Sequence, residues 1–263
     1  MRRYLRLYKL FVLQYLKTLM QSKLDLAIGI AGFVISQASG LVFILLVFTQ
    51  IPEINGYGID QMVFIYGFSL LPKGLDHLLT DCIWWIPGTF VTHGGLDKFL
   101  IRPLNVFFQI ACEKFQADAL GELAVGAALV SLSIARGAAE LSVLDVMLFI
   151  VAVLAGTVIY TSVKLIAATF SFWYKNSFHI INTIYHLNDF AKYPISIYPK
   201  FIRIALTAIV PFAAASFYPA SYFLDRSSLA GSIGIAAAAA AVSGSAAYGF
   251  FLLGLKSYDS SGN

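Results

Sequence analysis

Residues 94–105 read GGLDKFLIRPLN, a short charged segment between two apolar stretches that are each long enough to cross a bilayer. Gly94 and Gly95 let the chain leave a membrane helix in a backbone conformation that other residues resist. Asp97 suits the first turn of a short helix, because a carboxylate is stabilised at the positive helix end. Pro103 ends that helix, because a residue that precedes proline is pushed out of the α region. We therefore predict a rigid helical segment lying across the membrane surface.

The residues of the 94–105 segment leave two interpretations open. In the first, the segment is an interfacial connector whose Lys98 and Arg102 meet lipid phosphates. In the second, it is a docking helix for a soluble partner protein.

The composition of the whole chain is that of an integral membrane protein. Of its 263 residues, 59% are hydrophobic and 12% are charged, against roughly 25% charged in soluble domains. The apolar runs are separated by loops too short to fold independently, which predicts a single membrane domain over residues 1–263. The net charge of +4 does not indicate a nucleic-acid partner, because the basic residues gather where a membrane surface attracts them.

Residues 1–24 place apolar side chains at helical spacing among basic ones. This pattern predicts an amphipathic helix in the inner membrane interface and in contact with lipid, for which a simple lipid anchor is the structural interpretation. The positive-inside rule puts this end of the chain in the cytoplasm. The basic residues are Arg2, Arg3, Arg6, Lys9, Lys17 and Lys23.

Apolar runs of about 20 residues predict an all-α fold with six transmembrane helices and both termini inside. Hydropathy and the distribution of basic residues favour 201–223 as the fifth crossing. Four prolines interrupt the chain from residue 194 to residue 219, however, and irregular backbone at membrane depth is tolerated only when it is buried or lines water. The other five crossings are expected near 26–48, 62–86, 115–134, 146–173 and 229–255.

Four ionisable residues lie on one face of the second crossing, at spacings of three and four. They are Lys73, Asp76, His77 and Asp81. Such groups are costly at membrane depth and face a protein interior or water, which predicts a translocation path or an intramembrane polar network. The structural alternative pairs Lys73 with Asp76 and His77 with Asp81. Lys164 in the fourth crossing is a further cation that could meet one of these carboxylates. Glu122 in the third crossing is expected to help helices pack.

The sequence contains no motif for phosphate binding or nucleophilic catalysis. Residues 249–256 are similar to a P-loop, but the lysine is one position late and the stretch is a membrane helix end. No G-x-S-x-G elbow or H-E-x-x-H pair is present. We therefore predict no catalytic residue, no metal site and no cofactor in this chain, which is not expected to be an enzyme itself. No disulfide is expected between Cys82 and Cys112.

Two motifs resemble the ABC-2 transporter permease family, and the order of hydrophobic segments along nearly the whole chain is similar too. One is a run of Tyr-Pro and Val-Pro pairs over residues 193–219. The other is the G-x-L-D-x-x-L-x-R-P-L signature of a bacterial branch of this family, matched by Gly94, Leu96, Asp97, Leu100, Arg102, Pro103 and Leu104.

The resemblance implies specific roles for several segments. Residues 94–105 would be a short cytoplasmic coupling helix, framed by the 1–24 helix, and 193–223 would be a re-entrant segment at the outer face. The fifth crossing would then run from about Asn176 to Lys192, with His179 and His186 on a polar face that lines a translocation path or a subunit seam. The implied ATPase-coupling residues are Gly94, Gly95, Leu96, Asp97, Leu100, Arg102 and Pro103.

The function implied by the resemblance is that of a permease subunit of an ATP-driven exporter in the bacterial cytoplasmic (inner) membrane. Its partners would be cytoplasmic ABC ATPase subunits, which carry ATP and Mg, and a second permease, identical or related. Two alternatives come from other classes. One is a stand-alone secondary transporter that uses Lys73, Asp76, His77 and Asp81 as an ion relay, and the other is a non-transporting scaffold for an ATPase.

Overall fold

The computed structural model describes residues 2–19, 23–174, 177–224 and 227–259, and it forms no β-strand within them. The helices are α1 (Arg2–Leu19), α2 (Lys23–Phe48), α3 (Ile59–Thr80), α4 (Asp97–Leu100), α5 (Val106–Glu113), α6 (Leu120–Ala135), α7 (Val143–Thr169), α8 (Phe178–His186), α9 (Lys200–Ile204), α10 (Phe212–Ala215), α11 (Phe217–Phe223) and α12 (Ile235–Lys256). Met1 and residues 20–22 of the expected interfacial helix, and Asn176 at the expected start of the fifth crossing, lie outside the described residues.

The fold is a bundle of long apolar helices, as the composition predicts. By length and hydropathy four helical stretches of the described chain can cross a membrane, and a fifth is a pair bent by 69°. The prediction of an all-helical membrane protein is confirmed, while the count of six crossings stays a prediction. The four stretches are Lys23–Phe48, Ala117–Ala135, Val143–Phe172 and Ala230–Lys256, and the bent pair is Lys200–Ile209 with Phe212–Phe223.

Helix α3 lies at the centre of the bundle and packs against α6 and α7. Phe68 is fully buried, and its ring centroid lies 5.2 Å from that of Phe149 in α7. A Cβ atom at Gly67 would lie 2.8 Å from the Cβ of Leu129 in α6. Small residues at such points let membrane helices approach closely. Charged side chains on α3 are therefore held between helices rather than against lipid.

The chain beyond α3 does not continue as one straight α-helix to residue 86. Helix α3 ends at Thr80, a 3-10 helix follows over Asp81–Trp85, and a π-helical turn over Ile86–Thr92 leads to the 94–105 segment. Pro87, which lacks a backbone N–H, lies in the first turn of that π-helix. The expected second crossing is thus shorter as an α-helix than its hydropathy predicts, and α3 is not among the stretches that qualify by length and hydropathy.

The bundle has two ends, which we call the motif end, where residues 94–105 lie, and the far end, where the 49–58 loop lies. Residues 193–223 contact the far end: Asn55 Nδ2 donates to Ser196 Oγ at 3.3 Å, and Tyr222 donates to Asp145 Oδ1 at 3.2 Å. Helix α8 and the 3-10 helix after it run between the ends. Phe178 packs on Trp84 near the motif end, and Tyr193 packs on Phe43.

Candidate functional site

The 94–105 segment begins with a sharp turn that only glycine accommodates. Gly94 has φ of +71°, in the left-handed region where other residues are strained. A Cβ atom at Gly95 would lie 2.7 Å from the carbonyl oxygen of Thr89. Asp97 starts α4, in agreement with its predicted place in the first turn, and the helix ends at Leu100, before Pro103. The two glycines therefore fix the direction in which the segment leaves the bundle.

One side of the segment is anchored in the apolar interior at the motif end. Leu96 and Phe99 are fully buried, and Phe99 meets Phe90 edge to face with ring centroids 5.2 Å apart. The same apolar cluster includes Phe251 of α12 and Phe172, just after α7. The segment therefore joins the ends of two long helices.

Polar contacts hold the turn after α4. Gln109 is buried in α5, and its Nε2 donates to the carbonyl oxygens of Phe99 at 3.0 Å and Leu104 at 3.1 Å. Asn105 caps α5 by accepting a hydrogen bond from the Phe108 backbone N–H. The Asn105 amide also donates to the Tyr248 hydroxyl of α12 at 2.6 Å.

Asp97 faces the C-terminal end of the chain. Burial and the neighbouring Asp97 carboxylate raise the pKa of Tyr258 to about 12, because both disfavour the phenolate. The Tyr258 ring also packs edge to face on Phe172 at 6.1 Å. The Asp97 carboxylate thus lies near Tyr258 in the tail that follows α12.

The opposite side of the segment faces outward. Ile101 is 83% exposed, and Leu100, Arg102 and Pro103 are exposed beside it. Within the described chain, the Arg102 side chain makes no hydrogen bond and no ion pair. Lys98, in contrast, pairs with Glu113. The exposed face formed by residues 100–103 is therefore apolar with one unpaired cation at its edge.

A polar network lies inside the bundle, at the motif-end half of α3. Lys164 of α7 is fully buried, and its Nζ donates to Asp76 Oδ2 at 2.8 Å. The Asp76 carboxylate also accepts hydrogen bonds from Thr80 at 2.7 Å, Thr161 at 2.8 Å and Tyr185 at 2.9 Å. Four donors satisfy this carboxylate, as a buried charge requires.

The network continues from Asp76 to Glu122. The Tyr185 hydroxyl lies 2.9 Å from His77 Nε2, and His77 Nδ1 lies 2.8 Å from Glu122 Oε2. Glu122 Oε1 accepts from Gln37 Nε2 at 3.2 Å and lies 3.6 Å from Lys73 Nζ. These contacts join α2, α3, α6, α7 and α8.

The structural alternative, in which the charged residues of α3 pair with one another, is wrong. Lys73 and His77 both face Glu122 of α6, while Asp76 pairs with Lys164 of α7. Asp81 lies 3.9 Å from Lys164. The pairs form between helices, because the α3 residues point toward different neighbours around the helix. The cation in the fourth crossing does meet a carboxylate of α3, as anticipated.

A polar cavity of about 520 Å³ lies beside this network, between α2 and the chain from α8 to Tyr193. Lys73 and His77 reach it from α3, and His186 stands at its exposed margin, 3.7 Å from Asp189. His179 is exposed and does not line the cavity. Sequence reasoning gave no role here to Gln37, Tyr185 or Lys192; of these, only Lys192 carried a signal, as a charge at the end of a crossing.

No group of three or more His, Cys, Asp or Glu side chains in the described residues is arranged to hold a metal ion. The fold and site are those of a multi-pass helical membrane protein with buried charges and an anchored surface segment.

Residues 34–262 match the model of a protein family described as ABC-2 family transporter protein. The match covers most of the chain, including the 94–105 segment and the polar network, and the chain therefore belongs to the ABC-2 transporter family. Membership makes it a membrane transport subunit of the ABC-transporter class. Comparison with curated proteins and with solved structures gave no match.

Proposed function

We propose that this chain is the permease subunit of an ATP-driven exporter and that separate cytoplasmic ATPase subunits dock on its 94–105 segment. The proposal rests on the difference between the buried side and the exposed side of that segment. Its inner side is fixed by the buried Leu96 and Phe99, while its outer side exposes Ile101 and an unpaired Arg102. An apolar patch edged by a cation that makes no internal contact suits a protein partner.

The contacts of the segment provide a route for movement into the bundle. Asn105 binds Tyr248 of α12, Asp97 faces Tyr258, and Phe99 packs on Phe90 of the turn that continues α3. A push on the outer face is therefore passed to α12 and α3 together. ATPase closure can drive transport only if it favours one arrangement of the crossings over the other, and an anchored segment meets that requirement.

The topology we propose has six crossings, both termini in the cytoplasm, and a location in the bacterial inner membrane. Helix α8 with its 3-10 continuation is the fifth crossing, and 193–223 is a re-entrant segment at the outer face. This proposal is supported by contacts of residues on both sides of the bend with the far end, Ser196 with Asn55 and Tyr222 with Asp145. Helix α1 then lies in the inner interface in contact with lipid.

The polar cavity is the proposed translocation path. It is lined by Lys73, His77 and His186, and α2, which forms one wall, carries many exposed apolar side chains. A second permease, identical or related, would close the path on that side. ATP and Mg would bind to the partner ATPase, and this chain would supply no cofactor site.

The test is affinity purification from native membranes in mild detergent, with mass spectrometry of what accompanies the protein. We expect a soluble protein with a P-loop in the wild-type sample and at least tenfold less of it with Arg102→Ala, on the order of the loss of one charge-assisted contact. Arg203→Ala is the matched control, because Arg203 contacts carbonyl oxygens of 196 and 198 at the far end. A protein that purifies alone and moves solute into liposomes without nucleotide would contradict the proposal.

A further inference from the structure

The lining of the polar cavity carries more lysines than carboxylates, although Glu122, 3.6 Å from Lys73 Nζ and outside the lining, offsets part of that positive charge. Lys73 and Lys192 line it, and Asp189 is the one carboxylate among its lining residues in the described chain. Lys192 Nζ already binds Asp189 Oδ1 at 2.7 Å. The Ser36 hydroxyl adds a further donor on the α2 wall, whereas the Ser39 hydroxyl donates to the Ser36 carbonyl oxygen at 2.7 Å.

Lys73 is the residue in this cavity whose contacts are incomplete. It is 9% exposed, and its Nζ lies 3.6 Å from Glu122, which is too far for a hydrogen bond. Glu122 is already engaged by Gln37 and His77. Among the described residues, no other acceptor contacts the Lys73 ammonium, which carries three donors. The remaining donors of Lys73 are therefore open to water or to a ligand in the cavity.

We propose that this cavity binds an oxyanion headgroup of the phosphate class on the exported molecule, with Lys73 as its main charge partner. A tetrahedral oxyanion offers several acceptors and a negative charge, which Lys73, Lys192 and the Ser36 hydroxyl complement from separate walls. Lysine binds phosphate well as a point charge. The cavity of about 520 Å³ falls within the size range of small-molecule sites.

The inference rests on the proposed function only in treating the ligand as the transported molecule, and binding is measurable without transport. The probes are dihexanoyl phosphatidic acid, uncharged dihexanoylglycerol and inorganic phosphate, each titrated calorimetrically into the full-length protein in a neutral detergent. The variants are Lys73→Gln, the charge-keeping Lys73→Arg, and Lys200→Gln as a control for an exposed lysine outside the cavity.

We expect dihexanoyl phosphatidic acid to bind wild type and Lys200→Gln alike, and Lys73→Gln at least about tenfold more weakly, on the scale of a hydrogen bond to a charged group. Lys73→Arg should restore most of the affinity. If inorganic phosphate competes, the free headgroup is sufficient, and if it does not, the headgroup is recognised as part of a lipid; both results support the site.

Equal binding of uncharged dihexanoylglycerol, or unchanged affinity in a folded Lys73→Gln protein, would overturn the inference. If Lys73→Gln does not fold, Lys192→Gln serves instead, with a smaller expected loss because Asp189 already binds Lys192, and unchanged affinity in it counts equally against the site. Failure here and failure of the proposed function are distinguishable. Anion binding without a co-purifying ATPase would contradict only the proposed function, whereas a co-purifying ATPase without anion binding would contradict only this inference.

Discussion

Lys164 and Lys73 are both buried lysines within the same bundle, but their surroundings differ. Lys164 is held at 2.8 Å by Asp76, a carboxylate that three hydroxyl groups also bind. Lys73 borders a cavity and lies 3.6 Å from a glutamate that other residues already occupy. The first arrangement is complete within the protein, and the second is complete only when water or a ligand adds acceptors. Burial alone therefore does not tell a structural charge from a binding one.

The same contrast occurs at the motif end. Asp97 faces Tyr258 of the tail, whereas the Arg102 side chain is exposed and makes no hydrogen bond or ion pair in the described residues. In both regions a charged group that faces an internal partner lies near one that is available to an external partner.

The largest effect on stability is expected from breaking the ion pair between Asp76 and Lys164. Asp76→Asn removes the carboxylate that binds the buried Lys164 at 2.8 Å and leaves Asp81, 3.9 Å away, as its remaining carboxylate neighbour in the described chain. This change should lower the free energy of unfolding by about 3 to 5 kcal/mol. Glu122→Gln should cost less, about 1 to 2 kcal/mol, because Lys73 keeps access to water in the cavity. Unfolding in detergent, followed by intrinsic fluorescence, measures both. Equal losses of stability in the two variants would contradict the difference described between Lys164 and Lys73.

Replacing both Asp76 and Lys164 tests directly whether these two buried charges act as a pair. The double variant Asp76→Leu with Lys164→Met removes both buried charges, and it should recover about half or more of the stability that either single change loses. The measurement is a double-mutant cycle on the free energy of unfolding. Additive losses would mean that the two side chains do not act as a pair.

A smaller loss in the free energy of unfolding is expected from Gly95→Ala. Its Cβ would lie 2.7 Å from the Thr89 carbonyl oxygen, so the turn must shift, at a cost of about 1 to 3 kcal/mol. Because this turn sets the orientation of the outer face of residues 94–105, co-purification of the ATPase should fall as well. Gly249→Ala, where nothing lies within 4 Å of the new methyl group, is the control and should behave as wild type in both measurements.

The smallest effect is the titration of Tyr258. Its pKa of about 12 exceeds that of a free tyrosine, about 10. The docked tail is therefore fully stabilised below pH 10, and this stabilisation is lost as pH rises from 10 to 12. The tyrosinate absorbance of wild type minus that of Tyr258→Phe should show a step near pH 12, which moves lower with Asp97→Asn. A wild-type step near pH 10 would show that Tyr258 does not face Asp97.

The sequence predicts the long helices, because apolar runs of membrane length have few other structures open to them. It also places the turn at Gly94 and the start of α4 at Asp97. The partners of Lys73 and His77 could not be predicted, because spacing along one helix identifies only neighbours on that helix, whereas Glu122 lies on α6. Tyr185 had no signal at all, since an aromatic residue in an apolar run is expected in lipid or in a core.

The proposed transport function depends most on the docking of an ATPase on the outer face of residues 94–105. A photo-crosslinking amino acid at Ile101, which is 83% exposed, tests this in intact cells, with the same group at the exposed Glu53 of the far end as control. We predict a light-dependent adduct from position 101 that contains a P-loop protein, and none from position 53. An ATPase adduct from position 53, or its absence at position 101 while the ATPase still co-purifies, would contradict the account.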